Sequence, residues 1–153
     1  MKLSELLTKE SVILPLEAAD KWSAIAIMAQ GMADMGALAQ DQVAGVEAAL
    51  VAREESMTTG MEAGIAIPHA AVDDIVEVVA VLGIAPDGVP FETLDGQPAR
   101  ILVCLAIPRA KKLQHIRTLA EIAKLLSRAP VRERLLGCDA PQQVLEAIAA
   151  EEG

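Results

Sequence analysis

Hydrophobic positions along this chain follow two patterns in turn. Short continuous apolar runs, which are typical of buried strands, occupy residues 12–17, 63–68, 76–85 and 100–108. Stretches with a period near 3.6 residues, which are typical of helices, occupy residues 21–36, 42–53, 113–127 and 140–150, with a short helical turn at 131–136. The predicted order of elements is therefore β-α-α-β-β-β-α-α-α.

This order predicts an α/β (α+β) fold with three layers, in which a sheet lies between two layers of helices. The run RILVCLAIP (100–108) is apolar throughout, so we expect a central strand that is covered on both faces. The three consecutive strands favour some antiparallel pairs and hence a mixed sheet. Because 153 residues contain no linker or repeat, we expect one domain, residues 1–153.

The helical patterns predict N-caps for the helices at 21–36 and 42–53, and core faces for the helices at 21–36 and 113–127. In the first, Asp20 is the expected N-cap. Its expected core stripe is Trp22, Ile25, Met28, Ala29 and Met32. Asp41 is the expected cap of the second helix. In helix 113–127 the stripe comprises positions 113, 116, 119, 120, 123 and 126, which places His115 at its flank, about 80° from the centre.

Composition and charge exclude several classes of function. No apolar run approaches the ~18 residues of a membrane span, and the glutamates of MKLSELLTKE do not suit a signal peptide, so we predict a cytoplasmic protein without membrane insertion. The net charge of −9 argues against nucleic-acid binding. The two cysteines lie far apart, and no CxxC, HxH or HExxH motif occurs, so neither a metal nor another cofactor is expected.

The chain contains two histidines, and each has an unusual setting. His69 follows the strand AGIAIP, and Pro68 restricts the path by which the chain leaves it. His115 lies in the basic stretch PRAKKLQHIR. Arg53 is the only cationic residue between Lys21 and Arg100. Two imidazoles with nearby cations suit a phosphoryl group, which carries about two negative charges. The simpler alternatives are a surface histidine beside a proline and a solvated basic helix face.

Four stretches resemble a known family: REESMTTG (53–60), GIAIPHA (64–70), LDGQPARILVCLAIPRA (94–110) and HIRTLAEIAKLL (115–126). They are similar to enzyme IIA domains of the bacterial phosphotransferase system, of the fructose/mannitol type that includes the nitrogen-regulatory branch. With the flanking helices, the resemblance covers almost the whole chain. One stretch departs from the family, which usually has a glycine-containing pair where this chain has Met61–Glu62.

The resemblance implies that His69 accepts a phosphoryl group from the histidine phosphocarrier protein. It also implies that His115 supports His69 and that Arg53 belongs to the site. The chain would then be a phosphotransferase with a phosphohistidine intermediate. It would either pass the phosphoryl group to a IIB partner during sugar uptake or act on regulatory targets through its phosphorylation state.

Two other classes of function remain open at this stage. One is a non-catalytic regulatory binding module that keeps the fold without phosphotransfer, although the presence of His69, His115 and Arg53 together argues against it. The other is a metal-dependent hydrolase that uses both histidines, for which the spacing of carboxylates and histidines gives no support.

Overall fold

The computed structural model describes residues 1–152, and within that range it contains six α-helices and five strands. The helices are α1 (Leu3–Leu6), α2 (Lys21–Asp34), α3 (Val43–Ser56), α4 (Lys112–Leu126), α5 (Ala129–Leu136) and α6 (Pro141–Glu152). The strands are β1 (Val12–Ile13), β2 (Ile65–Ala66), β3 (His69–Val72), β4 (Val79–Val89) and β5 (Ala99–Pro108). The predicted α/β class is confirmed, with one additional short helix, α1, and one additional strand.

The five strands form one mixed sheet in the order β1-β4-β5-β2, and β3 also pairs with β5. β4 and β5 are antiparallel, whereas the pairs β1–β4, β2–β5 and β3–β5 are parallel. β5 is buried along almost its whole length, as its continuous apolar sequence predicts. The sheet therefore has β5 at its centre and the β2–β3 segment along one side.

The strand predicted at 63–68 is shorter in the structure, where β2 covers Ile65–Ala66, and a second strand, β3, begins directly after Pro68. Ile65 aligns with Ile101 of β5, and His69 aligns with Leu105 four residues further on. The ladder continues past the proline because the Leu105 N–H donates to the Pro68 carbonyl oxygen at 2.9 Å. Proline has no backbone N–H to donate, so it is tolerated in a sheet where no neighbouring strand needs that donor. His69 consequently begins a second strand, whereas the sequence predicted it just beyond a strand end.

Helices cover both faces of the sheet and give the predicted three layers. Buried residues of α2 and α3, such as Met28 and Leu50, form a core on one face. Buried residues of α1, α4, α5 and α6, such as Ile122 and Val144, form a separate core on the other face. No helix among residues 1–152 combines the length and the hydropathy that a membrane crossing requires.

Helix α2 matches its predicted stripe except at its first position. Ile25, Met28, Ala29 and Met32 are buried, and the Asp20 carboxylate caps the helix by accepting the Ser23 N–H at 2.8 Å. Trp22, however, is 39% exposed, and its neighbour Lys21 is buried. The prediction that Asp41 caps the second helix is wrong, because the N-cap position of α3 is Gln42 and no side chain caps it.

Helix α4 is rotated relative to its predicted orientation. Leu113 is 83% exposed and Ile116 is also exposed, whereas His115 is 1% exposed. The buried face is formed by His115, Thr118, Ile122, Leu125 and Leu126. A count of apolar residues misses this face, because His115 and Thr118 are polar. They can be buried since the His115 Nδ1 and the Thr118 Oγ1 are hydrogen-bonded at 3.1 Å.

Candidate functional site

The imidazole of His69 is held by the backbone two residues before it. Its Nδ1 lies 2.8 Å from the carbonyl oxygen of Ile67. A carbonyl oxygen can only accept a hydrogen bond, so Nδ1 carries the hydrogen and, in the neutral ring, Nε2 carries the free lone pair. The ring is half-buried and has a defined tautomer.

The direction of the His69 side chain follows from the alternation of strand residues. Ala70 and Val72 of β3 belong to the core beneath α2 and α3. Leu105, the residue of β5 that aligns with His69, belongs to the core beneath α4. His69 therefore projects on the α4 side of the sheet.

Three neighbours change the proton affinity of His69. Partial burial is the main effect and lowers its pKa below the ordinary value of 6.5. The hydrogen bond to Ile67 raises the pKa, the positive charge of Arg53 lowers it, and the negative charge of Glu54 raises it. The net lowering favours a neutral, nucleophilic imidazole at neutral pH.

Arg53 lies in the last turn of α3, close enough for its charge to act on His69. Its Nη1 donates to the carbonyl oxygen of Met57 at 2.8 Å, which fixes the guanidinium against the end of its own helix. The guanidinium has five N–H donors, so this bond leaves others for an anion.

His115 is fully buried in the first turns of α4, which covers the face of the sheet from which His69 projects. Burial lowers its pKa, the positive charges of the N-terminal ammonium and Lys111 lower it further, and Glu77 raises it. Burial is thus the leading cause of the lowered pKa of His115, and the nearby cations are secondary. Its Nδ1 is engaged by Thr118.

The basic stretch before His115 is partly paired with acids. Arg109 pairs with Asp73 at 3.0 Å, and Lys111 pairs with Glu77 at 3.1 Å. Both acids lie in the connection between β3 and β4. These ion pairs therefore connect the segment just before α4 to the segment that follows His69. The alternative of a solvated basic face applies only to the remaining cations of the stretch.

Sequence reasoning missed a buried group beside the site. Glu54, the neighbour of Arg53, is buried and accepts both the N–H and the hydroxyl of Thr59. The neighbouring hydroxyls are also engaged within the protein, because Thr58 donates to the Glu92 carbonyl oxygen and Thr59 donates to Glu54. A glutamate within the strongly polar segment REES (53–56) gives no sequence signal of burial.

Comparison with known proteins identifies the family to which this chain belongs. Residues 5–151 match the family described as "Phosphoenolpyruvate-dependent sugar phosphotransferase system, EIIA 2". The chain belongs to this family. EIIA domains are phosphoryl-transfer components of that system, so the site around His69 lies in a protein of the class that the sequence resemblance implied.

Relatives of this EIIA domain come from two branches. The chain is 32% identical over 148 residues to the fructose-specific EIIABC component of Bacillus subtilis, which aligns 97% of this chain but only 23% of that longer protein. It is 32% identical over 149 residues to the fructose-specific EIIA component of Haloferax volcanii, covering 93% of this chain and 96% of that protein. It is 29% identical over 154 residues to the nitrogen regulatory protein of Escherichia coli, covering 100% and 93%.

Solved structures share the fold. The nitrogen regulatory protein IIA-Ntr from Neisseria meningitidis superposes with a TM-score of 0.85 at 23% identity, covering 95% of this chain and 98% of that one. The mannitol enzyme IIA of Escherichia coli, solved in complex with phosphorylated enzyme IIB, gives a TM-score of 0.78 at 24% identity, covering 94% and 97%. At these identities the likeness establishes the EIIA fold alone.

Proposed function

We propose that this EIIA domain accepts a phosphoryl group on the Nε2 of His69 from a histidine phosphocarrier protein. The observation that carries the proposal is the hydrogen bond from the His69 Nδ1 to the Ile67 carbonyl oxygen at 2.8 Å. It leaves Nε2 as the nitrogen with a free lone pair. The lowered pKa of His69 keeps that lone pair available at neutral pH.

The transfer exchanges one nitrogen–phosphorus bond for another. The Nε2 lone pair of His69 attacks the phosphorus of the donor phosphohistidine, and the electron pair of the broken bond returns to the donor imidazole. Such a transfer depends on in-line positioning and on positive charge near the phosphoryl oxygens. Arg53, the nearby cation of α3, is the proposed source of that charge.

His115 is the proposed hydrogen-bond donor to the phosphoryl group. When Thr118 donates its hydroxyl hydrogen to Nδ1, the neutral ring carries its own hydrogen on Nε2. Its lowered pKa disfavours the imidazolium form. Burial and the bond to Thr118 make His115 a rigid donor, whereas His69 is half-buried and open to a partner.

The phosphoryl group has two proposed fates. One is transfer to a IIB partner, which is supported by the mannitol complex with IIB and by the fructose-specific relatives. The other is regulation of target proteins through the phosphorylation state, supported by the nitrogen regulatory relatives. We assign this chemistry to a single domain, residues 1–153. A non-catalytic binding module has no observation in its favour, because His69, His115 and Arg53 are all present.

Phosphate uptake tests the proposal. The protein is incubated with phosphoenolpyruvate, enzyme I and the phosphocarrier, and its intact mass is measured. We expect one acid-labile, base-stable phosphoryl group per chain and none in His69→Gln. Omission of the phosphocarrier should abolish uptake. Stoichiometric uptake by His69→Gln would refute the assignment, and no uptake by the wild-type protein would favour the binding module.

A further inference from the structure

A buried ionic cluster lies behind the face of His69. The Glu54 carboxylate accepts the Thr59 N–H at 2.8 Å and the Thr59 hydroxyl, and it lies 3.6 Å from the Lys21 Nζ. The side chains of Glu54 and Lys21 are both almost completely shielded from solvent. Lys21 also pairs with Glu92 at 2.9 Å. The cluster is formed by Lys21, Glu54 and Thr59.

Backbone hydrogen bonds connect this cluster to the imidazole of His69. The carbonyl oxygen of Thr59 accepts the N–H of Ile67 at 3.2 Å. The carbonyl oxygen of the same Ile67 accepts the Nδ1–H of His69 at 2.8 Å. Glu54 thus fixes Thr59, Thr59 fixes Ile67, and Ile67 fixes the ring. Two further backbone contacts hold residues 60–61 against β2. The Met61 N–H donates to the Ile65 carbonyl oxygen at 2.8 Å, and Gly60 forms an isolated bridge with Ala66.

Burying this ion pair carries a desolvation cost that apolar packing would avoid. Removing two charges from water carries a large desolvation cost, and a hydrophobic pair of similar volume is often equally stable. A buried ion pair beside a nucleophile therefore suggests a task that apolar packing cannot perform. Here the charged acceptor accepts two hydrogen bonds from one residue, and hydrogen bonds to a charged group are shorter and stronger than neutral ones.

We propose that Glu54, together with Thr59 and Lys21, is a positioning residue that holds the Ile67 carbonyl and thereby sets the tautomer and orientation of His69. The proposal rests on the proposed function for its kinetic consequence, but the state of the ring can be measured without any phosphoryl transfer. Glu54 also acts directly on His69 by its charge, opposite in sign to that of the adjacent Arg53.

The decisive variant is Glu54→Gln, with Glu55→Gln as the matched control. Gln keeps the side-chain volume and one acceptor but removes the charge, whereas Glu55 is exposed on the same turn of α3. Ring ¹⁵N chemical shifts of His69 report the tautomer, and rapid-quench assays report phosphoryl uptake. We expect Glu54→Gln to increase the Nε2–H form and to slow uptake about 10- to 100-fold, as small misplacements of a reacting group do. Glu55→Gln should match the wild type in both measurements.

A milder pair of variants covers the case in which Glu54→Gln does not fold. Thr59→Val removes the hydroxyl with little change of shape, and Thr59→Ser retains it. Thr59→Val should move the His69 tautomer and the uptake rate in the same direction as Glu54→Gln, and Thr59→Ser should restore both. Wild-type tautomer and rate in folded Glu54→Gln or Thr59→Val would overturn the proposal. So would a loss of uptake that only follows the loss of folded protein.

The experiment separates this inference from the proposed function. If the wild-type protein takes up no phosphate, the proposed function fails, yet the ¹⁵N shifts still show whether Glu54 controls the ring. If the wild-type protein is phosphorylated and the Glu54→Gln ring keeps the wild-type tautomer, the inference fails and the proposed function stands.

Discussion

The carbonyl oxygen of Ile67 lies 2.8 Å from the Nδ1 of His69, and one proline separates the two residues. Because Pro68 has a restricted φ, the short path between the carbonyl and the ring is stiff. Backbone geometry, not a carboxylate partner, therefore presents Nε2 as the reactive nitrogen.

The pH dependence of phosphoryl uptake should report the lowered pKa of His69. Protonation removes the Nε2 lone pair, so the rate should fall as the pH drops through the pKa of His69, and the midpoint should lie below the ordinary value of 6.5. Single-turnover uptake from pre-phosphorylated phosphocarrier, measured across pH, gives the midpoint. A midpoint above 6.5 would show that burial does not control this histidine.

Replacement of Arg53 should affect both the rate and the pKa. Arg53→Gln removes the positive charge that lowers the pKa of His69, so that pKa should rise. Loss of a charged donor to the phosphoryl oxygens should slow uptake about 10- to 100-fold. Arg100→Gln is the control, because the exposed Arg100 side chain instead donates to the Pro86 carbonyl oxygen. Equal rates for the two variants would remove Arg53 from the site.

His115 should support the reaction without accepting the phosphoryl group. His115→Ala should still reach the state phosphorylated at His69, but about 10²–10³ times more slowly, as when one transition-state donor is deleted. Gln114→Ala, at the exposed neighbouring position, should be unaffected. Rapid-quench rates decide the matter. An unchanged rate in His115→Ala would make His115 a bystander, and phosphate on His115 in the wild type would reverse the roles.

The orientation of α4 predicts unequal losses of stability for alanine substitutions at two isoleucines on one helix. Ile122→Ala should lower the free energy of unfolding by about 2–5 kcal/mol, because Ile122 is buried. Ile116→Ala should change it by less than about 0.5 kcal/mol, because Ile116 is exposed. Urea unfolding of the pair measures the difference. Similar losses for both would indicate that the apolar stripe at 113 and 116 faces the core after all.

The sequence was sufficient for features that depend on apolar patterning. The layers, the mixed sheet and the central strand at 100–108 follow from hydrophobic period and length, and the structure confirms them. The errors concern polar groups that are buried in pairs. Lys21 is paired with Glu54, and His115 is hydrogen-bonded to Thr118. Their burial depends on these polar partners, which a pattern of apolar residues does not show.

The site shows the same division. The resemblance carried by GIAIPHA and by the stretch around His115 pointed to His69, His115 and Arg53. In the structure the Arg53 charge acts on His69, and α4 covers the face of the sheet from which His69 projects. The bond to Ile67 could not be predicted, because it depends on the path around Pro68. Glu54 was missed since its link to His69 runs through the backbone of Thr59 and Ile67.

The most direct measurement is the site of attachment in the phosphorylated protein. Long-range ¹H–¹⁵N and ³¹P–¹⁵N correlations on the ¹⁵N-labelled protein, after incubation with phosphoenolpyruvate, enzyme I and the phosphocarrier, identify the nitrogen bonded to phosphorus. We expect a single phosphorus–nitrogen coupling, to Nε2 of His69, with Nδ1 still close to the Ile67 carbonyl. Phosphorus on Nδ1 of His69, or on His115, would contradict it.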